Sequence, residues 1–475
     1  MNNKSLILFI FILIFLSFSV KAQKKWTLEE CINYALQHNI DLKQNKLQLD
    51  IQESNLLRSK AAMLPTINAN ANDIVNWGKT VDRYTNQFAD SRTTSINLYL
   101  QTNITVFNGF KLLNSVKKNK LELVAQQYDY NYQQDMKSME ITTAFLQILY
   151  DQENLNNKSE QVKLTTMQVE RTQKLYDAGS VAKGDLYNIK SQLATEQATF
   201  IDAENKLNLS MLKLKQLMYL PGDTTLEIFA PEIELTDGFY QIEDPYKVYD
   251  YALKNRPEIK SAEIRVESSM KDLSIAKGGI SPTLSLSASL GSGYSGANSI
   301  LDGQPVFTGF VPNGNFTTAG DTVVSPTFQY NTKPKNWDDQ FLDNKNYSIG
   351  LYLSIPIFNR LQNYTNISQS KIAMQQAELQ LEKSKREMRQ TIEQAYADAR
   401  SAYKQYQAAK IQVDALTESF EYANQRYDAK MITAFEYNDA KIKLDIAKSN
   451  MINAKYNYVF RVKVLDFYNG KPLKL

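Results

Sequence analysis

The chain has one cysteine, Cys31, and one histidine, His38. A lone cysteine excludes an internal disulfide, and the two residues together assemble neither a nucleophile pair nor a zinc cluster. Cys31 is expected to fill an apolar helix position and His38 to be a satisfied helix-end residue. Long hydrophobic runs are confined to the N-terminus, where Lys4, an apolar run from Leu6 to Phe18 and the small-residue pattern ending at Ala22 read as a secretory signal. Cleavage there leaves Gln23 first, with no cysteine to carry a lipid anchor. No transmembrane helix is expected in the mature chain, although the alternating strands of a β-barrel evade a hydropathy search. An excess of one charge is also missing: without residues 1–22 the chain has 52 basic against 51 acidic side chains, which argues against nucleic acid as a partner.

Glycine and proline are absent from Arg360 to Asn469, so nothing forces a helix to stop there. A single rod of that length would measure roughly 165 Å, so it must fold back or project. Met374, Ala377, Leu381, Met388, Ile392, Ala395, Ala399, Ala402, Tyr406, Ala409, Val413, Leu416, Phe420, Ala423 and Tyr427 recur at spacings of three and four, a coiled-coil seam.

From the N-terminus, Trp26 to Asn39 is predicted to be an amphipathic helix with Thr27 and Glu30 as a capping box. A second helix covers about 41–62. The period then changes to two: Ile67, Ala69 and Ala71 alternate with asparagines, and Ile96, Leu98, Leu100, Ile104 and Val106 alternate with polar residues. A polar loop is expected between these strands, about 73–94. Phe110 to Ala178 reads as a helix of roughly 100 Å, followed by a turn through Gly179 and Gly184, a return helix from Asp185 to Met218, and an irregular connector over 219–242.

The pattern then restarts. YALQHNIDLK from Tyr34 matches YALKNRPEIK from Tyr251 at a shift of 217, which also carries Pro65-Thr66 onto Pro282-Thr283. Phe107-Asn108 matches Phe358-Asn359 at a shift of 251, as does Tyr176-Asp177-Ala178 with Tyr427-Asp428-Ala429. The halves are one duplicated unit, and the extra 34 residues fall inside the second strand-loop-strand segment. That segment runs through Leu284, Leu286, Ala288 and Leu290, a loop over about 292–346, then Ile349, Leu351, Leu353, Ile355 and Ile357. The expected organisation is a signal over 1–22, a first repeat over 23–218 with its hairpin at about 65–107 and its turn near 179, the connector 219–242, and a second repeat over 243–475 with its hairpin at about 282–358 and its turn near 430.

Four strands per chain are too few to close a barrel, so several chains must combine, with polar faces lining a lumen and Leu/Ile faces meeting lipid. Here the sequence resembles the TolC family of outer-membrane export ducts over essentially the whole mature chain. The resemblance rests on the duplicated element order, on VFNGF (106–110) and IFNRL (357–361), and on YDAGSVAKGDLYN and YDAKMITAFEYND. It implies a mainly helical coiled-coil fold with some β-structure: a homotrimer with a 12-stranded barrel in the outer membrane, a periplasmic α-helical barrel, and a belt formed partly by the connector. It also implies a porin-like channel for efflux or type I secretion that spans into the periplasm, docks on a periplasmic adaptor and an inner-membrane pump, and closes at its periplasmic helix turns. By the same resemblance, Gly179 and Lys430 occupy tip positions, Tyr176 and Tyr427 precede them, and Asp185 and Tyr427 belong to the closing network. Glu436 and Asp439 match acidic rings at the pore entrance, which would favour cations. Two departures stand out: Lys430 replaces the usual glycine, and Ile432 stands where the family has an arginine that makes an inter-coil salt bridge.

Gly291, Gly293 and Gly296 fit G-x-G-x-x-G, but no helix is expected after them, so a dinucleotide site is excluded. No cofactor, metal site or catalytic constellation is expected. Trp77, Tyr84, Tyr294 and Trp337 fit either an interfacial aromatic belt or surface loops. A secreted coiled-coil structural or adhesive protein would explain the helices but not the two-faced hairpins.

Overall fold

The computed structural model describes residues 25–89, 92–231, 243–429 and 431–474. The signal segment, residues 232–242 of the connector, and Lys430 lie outside the described residues. In the first repeat, β1 (Lys25–Trp26) precedes α1 (Leu28–His38), α2 (Ile40–Ala61), β2 (Thr66–Asn76), β3 (Thr80–Val81), β4 (Phe88–Ala89), β5 (Thr93–Phe107), α3 (Lys111–Asp177) and α4 (Lys183–Met218). After β6 (Glu227–Ile228) the second repeat supplies α5 (Pro245–Asn255), α6 (Pro257–Gly278), β7 (Thr283–Ser295), β8 (Ser299–Leu301), β9 (Val306–Phe316), β10 (Thr322–Gln329), β11 (Thr332–Pro334), α7 (Trp337–Asp343), β12 (Asn346–Ser354), α8 (Gln362–Asp428) and α9 (Ala434–Tyr468).

The described chain divides into two compact units. One holds the residues up to Glu53, with 121–267 and the chain from 375 onward; the other holds 54–120 and 268–374. In the first unit, α1 starts on the predicted capping box: Thr27 Oγ1 accepts from Glu30 N at 3.3 Å, and Thr27 N donates to Glu30 Oε2 at 3.0 Å. Leu28, Cys31 and Ala35 of α1 pack with Ile141, Phe145 and Ile148 of α3, Leu214 and Met218 of α4 and Val459 of α9. Cys31 is fully buried there, and His38 Nδ1 meets Tyr34 O at 2.9 Å with its ring stacked on Tyr34. The seam of α8 is buried at Met388, Ile392, Ala395, Ala399, Ala402 and Val413. Its small residues let α9 approach, so Ala395 and Ala399 meet Leu465, and Val413 meets Leu444 and Ala447.

The second unit is organised by a four-stranded antiparallel sheet of order β12-β7-β5-β2. Register makes it two-faced. Asn72 opposes Asn97, which opposes Gly293, and Gln101 opposes Ser289, which opposes Ser348, all on one side. On the other side Ala69, Leu100 and Leu290 align, as do Ile104, Leu286 and Leu351. That apolar side is open: Leu351 is 68% exposed and Ile349 76%. The order also leaves β2 and β12 as unpaired edges.

Both strand-to-helix exits use one device. Asn108 Oδ1 accepts from Leu112 N and Asn359 Oδ1 from Asn363 N, each at 3.4 Å, so the shared asparagine caps the long helix. Two left-handed residues follow in each copy, Gly109 and Phe110 (φ 66° and 61°) and Arg360 and Leu361 (φ 54° and 62°). A Cβ at Gly109 would lie 2.6 Å from Gly278 O, so the first copy also needs glycine for backbone approach.

Several boundaries differ from the sequence expectations. Trp26 pairs with Ile228 in a short parallel bridge instead of opening the helix. The return helix begins at Lys183, taking Gly184 into its first turn. β12 stops at Ser354, so Ile355 and Ile357 are not in a strand; Pro356 has no N–H to donate to a ladder. The segments expected as loops carry structure: β3 pairs with β4 inside 73–94, and β9 with β10, β8 with β11 and α7 occupy 292–346. Gly309, Pro312 and Gly314 interrupt the alternation of β9, and register shifts interrupt β10, which hides this hairpin from a period-two search.

Candidate functional site at the helix turns

In the first unit, both long helices end with an equivalent closing backbone bond. After α3, Gly179 adopts φ 72°, its N–H reaches Tyr176 O at 2.9 Å, and Ser180 N reaches Leu175 O at 2.8 Å. This is a Schellman closure, and only glycine takes its left-handed position without strain. After α8, Met431 N reaches Arg426 O at 2.8 Å, the equivalent bond 251 residues on.

The return helices start differently. α4 has Ala182 at its N-cap and no side-chain cap, with Asp185 at the third helical position. α9 has Thr433 as N-cap and Glu436 at the third position, and the two form a reciprocal capping box: Thr433 N donates to Glu436 Oε2 at 2.8 Å and Glu436 N to Thr433 Oγ1 at 3.2 Å. The backbone N–H and hydroxyl of Thr433 hold the exposed Glu436 carboxyl below its usual range. Asp439, also exposed, accepts from Lys443 Nζ at 2.6 Å. Both carboxylates expected as acidic rings therefore have a local partner within the chain.

A groove of about 360 Å³ lies at this end, lined by Arg171, Leu175, Asp185, Tyr427, Asp428, Ile432 and Tyr437 among others. Asp185 and Tyr427 both line it. Tyr427 stacks on Tyr437 with ring centroids 4.8 Å apart and planes at 26°, and burial pushes the Tyr437 phenol up. Ile432 contributes apolar surface to the groove. A cation nevertheless joins the two coils here: Arg171 Nη1 on α3 meets Asp428 Oδ1 on α8 at 2.5 Å, with both side chains about half exposed. Tyr176 is half-buried at the end of α3 and Gly179 is exposed.

Further along the same helices, Lys441 of α9 is 5% exposed and pairs with Glu196 Oε1 of α4 at 2.9 Å while also donating to Thr165 of α3. Glu196 Oε2 accepts from Thr165 Oγ1 at 2.5 Å. Asp445, one turn on from Lys441, is pushed up to about 6 by burial, against the pull of Lys441. Sequence reasoning missed Arg171, Asp428, Tyr437 and this cluster. The only signal was a lysine and an acid four apart, Lys441 and Asp445, on the return helix.

Comparison with known proteins bears on the whole chain. The family model described as outer membrane efflux protein matches residues 31–218 and 248–470. The outer membrane protein TolC of Escherichia coli is 23% identical over 386 residues, 79% of this chain and 70% of that protein. The solved structure of the Campylobacter jejuni CmeC outer membrane channel superposes with a TM-score of 0.74 at 16% identity, covering 96% of this chain and 90% of that one. The outer membrane protein VceC of Vibrio cholerae superposes with a TM-score of 0.73 at 17% identity, covering 94% and 96%. The two-faced hairpins, the duplicated coiled coils and these matches agree: the chain belongs to the outer membrane efflux protein family and is an outer-membrane efflux channel.

Proposed function

We propose that the chain works as a homotrimer and a passive conduit from periplasm to exterior. The observation that supports this best is the four-stranded sheet with an open apolar face, a polar opposite face and two unpaired edges. An exposed apolar face marks a membrane or protein contact, and two unpaired edges are a template for further pairing. Joining β12 of one copy to β2 of the next removes every edge and gives a 12-stranded barrel with a wet interior, since three copies contribute four strands each. The helical hairpins of three copies then make the α-helical barrel. Residues 23–218 and 243–475 are the two repeats, and 219–242 contributes to the belt around the tunnel. Members of this family are channels, not enzymes, and this chain needs no catalytic group for passive conduction.

The helix turns form the periplasmic gate. Tyr176, Gly179 and Lys430 lie at the tips that engage a periplasmic adaptor and, through it, an inner-membrane pump. Asp185 and Tyr427 hold the closed state, with Arg171 and Asp428 supplying the inter-coil ion pair that Ile432 cannot. Glu436 and Asp439 supply six carboxylates at the entrance of a trimer, and Lys443 offsets those of Asp439. The test is whether purified outer membranes contain heat-sensitive trimers that conduct ions in planar bilayers. A soluble periplasmic monomer would overturn the proposal. A secreted coiled-coil protein is not favoured, because it leaves the lipid-compatible face of the sheet without a role.

A further inference from the structure

The segment joining β2 to β5 folds back over the polar face of the sheet, at the end where β2 finishes. Two side chains of the β3–β4 hairpin reach that face. Tyr84 Oη donates to Asn97 Oδ1 at 2.7 Å, and the Asp82 carboxylate accepts from the Ser295 hydroxyl. Asn97 and Ser295 belong to the polar register, opposite Gly293 and Ser95 respectively. Asp82 also accepts from Tyr84 N at 3.1 Å, Thr85 N at 2.8 Å and Thr85 Oγ1 at 2.9 Å, so one carboxylate both shapes the turn and ties it to β7. It is 3% exposed and Ser295 is fully buried. Ser295 is itself fixed by the Gln340 amide of α7, which accepts from Ser295 N at 2.9 Å and donates to Ser295 O at 3.0 Å.

The glycines of the G-x-G-x-x-G run acquire a role here. A Cβ at Gly293 would lie 1.9 Å from Tyr84 Oη and 2.4 Å from Ile96 O. The tyrosine hydroxyl therefore occupies the space a side chain at 293 would need. A buried carboxylate and a phenol aimed at a face made of Ser, Asn and Gly require the hairpin to lie on that face, since a free loop would leave both in water. A groove of about 620 Å³ beneath it is bounded by Asn72, Asn97, Gln101 and the exposed Arg83.

We propose that the β3–β4 hairpin is a second constriction of the channel, a strap latched over the lumenal face at its outer mouth, which sets the size of polar solute that passes. This rests on the trimeric barrel reading, since the polar face becomes a lumen only when the sheet closes. Threefold repetition sets three straps around the mouth, each held by Asp82–Ser295 and Tyr84–Asn97.

Cysteine labelling of intact cells from outside tests it without depending on the periplasmic gate. Gln101→Cys puts a reporter under the strap, Leu100→Cys puts one on the opposite face, and Cys31, fully buried, adds no background. With the latch intact, a small sulfonated maleimide labels Gln101→Cys quickly and a bulky polyethylene-glycol maleimide slowly. Adding Asp82→Ala and Tyr84→Phe raises the bulky-reagent rate about tenfold, the scale expected when a hydrogen bond to a charged group is lost. If heat-sensitive trimers are lost with Asp82→Ala, Tyr84→Phe alone gives a smaller rise in the same direction. Equal bulky-reagent rates in latched and unlatched trimers overturn the strap. Faster small-reagent labelling of Leu100→Cys than of Gln101→Cys would instead overturn the lumen assignment and with it the barrel reading.

Discussion

The two helix turns occupy equivalent places in the repeat, 251 residues apart, yet the second is braced and the first is not. Ala182 stands where the second repeat has Thr433, so α4 starts without a side-chain cap while α9 starts on a reciprocal box. The acids at the third helical position are repeat mates as well. Glu436 is occupied by its own cap, whereas Asp185 faces the groove beside Tyr427. Lysine 190 bonds Gln173 of its own hairpin at an exposed site, and its mate Lys441 is buried and crosses to the other hairpin. Duplication kept the equivalent closing bond at both turns and let the side chains diverge: the second hairpin carries the reciprocal cap and the buried ion pair, while Asp185 of the first lines the groove.

That contrast can be broken most strongly at the anchor. Lys441→Ala leaves Glu196 buried without its cation and is expected to cost about 3–5 kcal/mol. Lys190→Ala should change stability by no more than about 0.5 kcal/mol. Thermal or denaturant unfolding of the detergent-solubilised protein reads both. Comparable losses at the two lysines would remove the distinction.

Next is Asp445, whose repeat mate is Ala194. Its carboxyl is raised from 3.8 to about 6 by burial, so the folded state binds the proton more tightly than the unfolded chain does. The group is therefore favourable at low pH, and that contribution is lost as pH rises through about 6. Asp445→Asn should stabilise the protein at neutral pH by about 1–2 kcal/mol, allowing for its partial exposure. The gain should fade as pH drops toward 3.8, and a gain independent of pH would contradict the assignment.

The caps come third. Thr433→Ala should cost about 1 kcal/mol, and Ala182→Ser, with Asp185 three residues on, should add a few tenths to about 1 kcal/mol by installing the missing box. Hydrogen exchange of the first turns of α9 and α4 reports each end separately. The smallest effect is on charge selection at the entrance. Glu436→Gln with Asp439→Asn should weaken cation selectivity, and Lys443→Gln, by freeing Asp439, should strengthen it. Reversal potentials in bilayer recordings decide this, and an effect of Lys443→Gln in the opposite direction would refute the offset by lysine.

Much of this fold was legible because it is periodic. The seam through Ile392, Ala399 and Val413, the alternation through Ile96, Leu98 and Leu100, and the Thr27–Glu30 box each write a local rule into adjacent residues. The repeat supplied what local rules lack, the position of the second turn. What escaped depends on partners far apart in sequence. Arg171 meets Asp428 across 257 residues, Lys441 meets Glu196 across 245, and Ser295 meets Asp82 across 213. No spacing announces such pairs. The structure in 292–346 was hidden by glycine, proline and bulges within short strands, and β12, legible from Ile349, Leu351 and Leu353, ends before Ile355 because of Pro356.

If the helix turns gate a trimeric pore, the ion pair between the coils should hold that pore closed. Single-channel conductance of the purified protein, compared with the Arg171→Ala, Asp428→Ala variant, tests it most directly. The expected result is a low-conductance pore whose conductance rises several-fold when the ion pair between the coils is removed. A protein that forms no pore, or one whose conductance is the same with and without the pair, would contradict it.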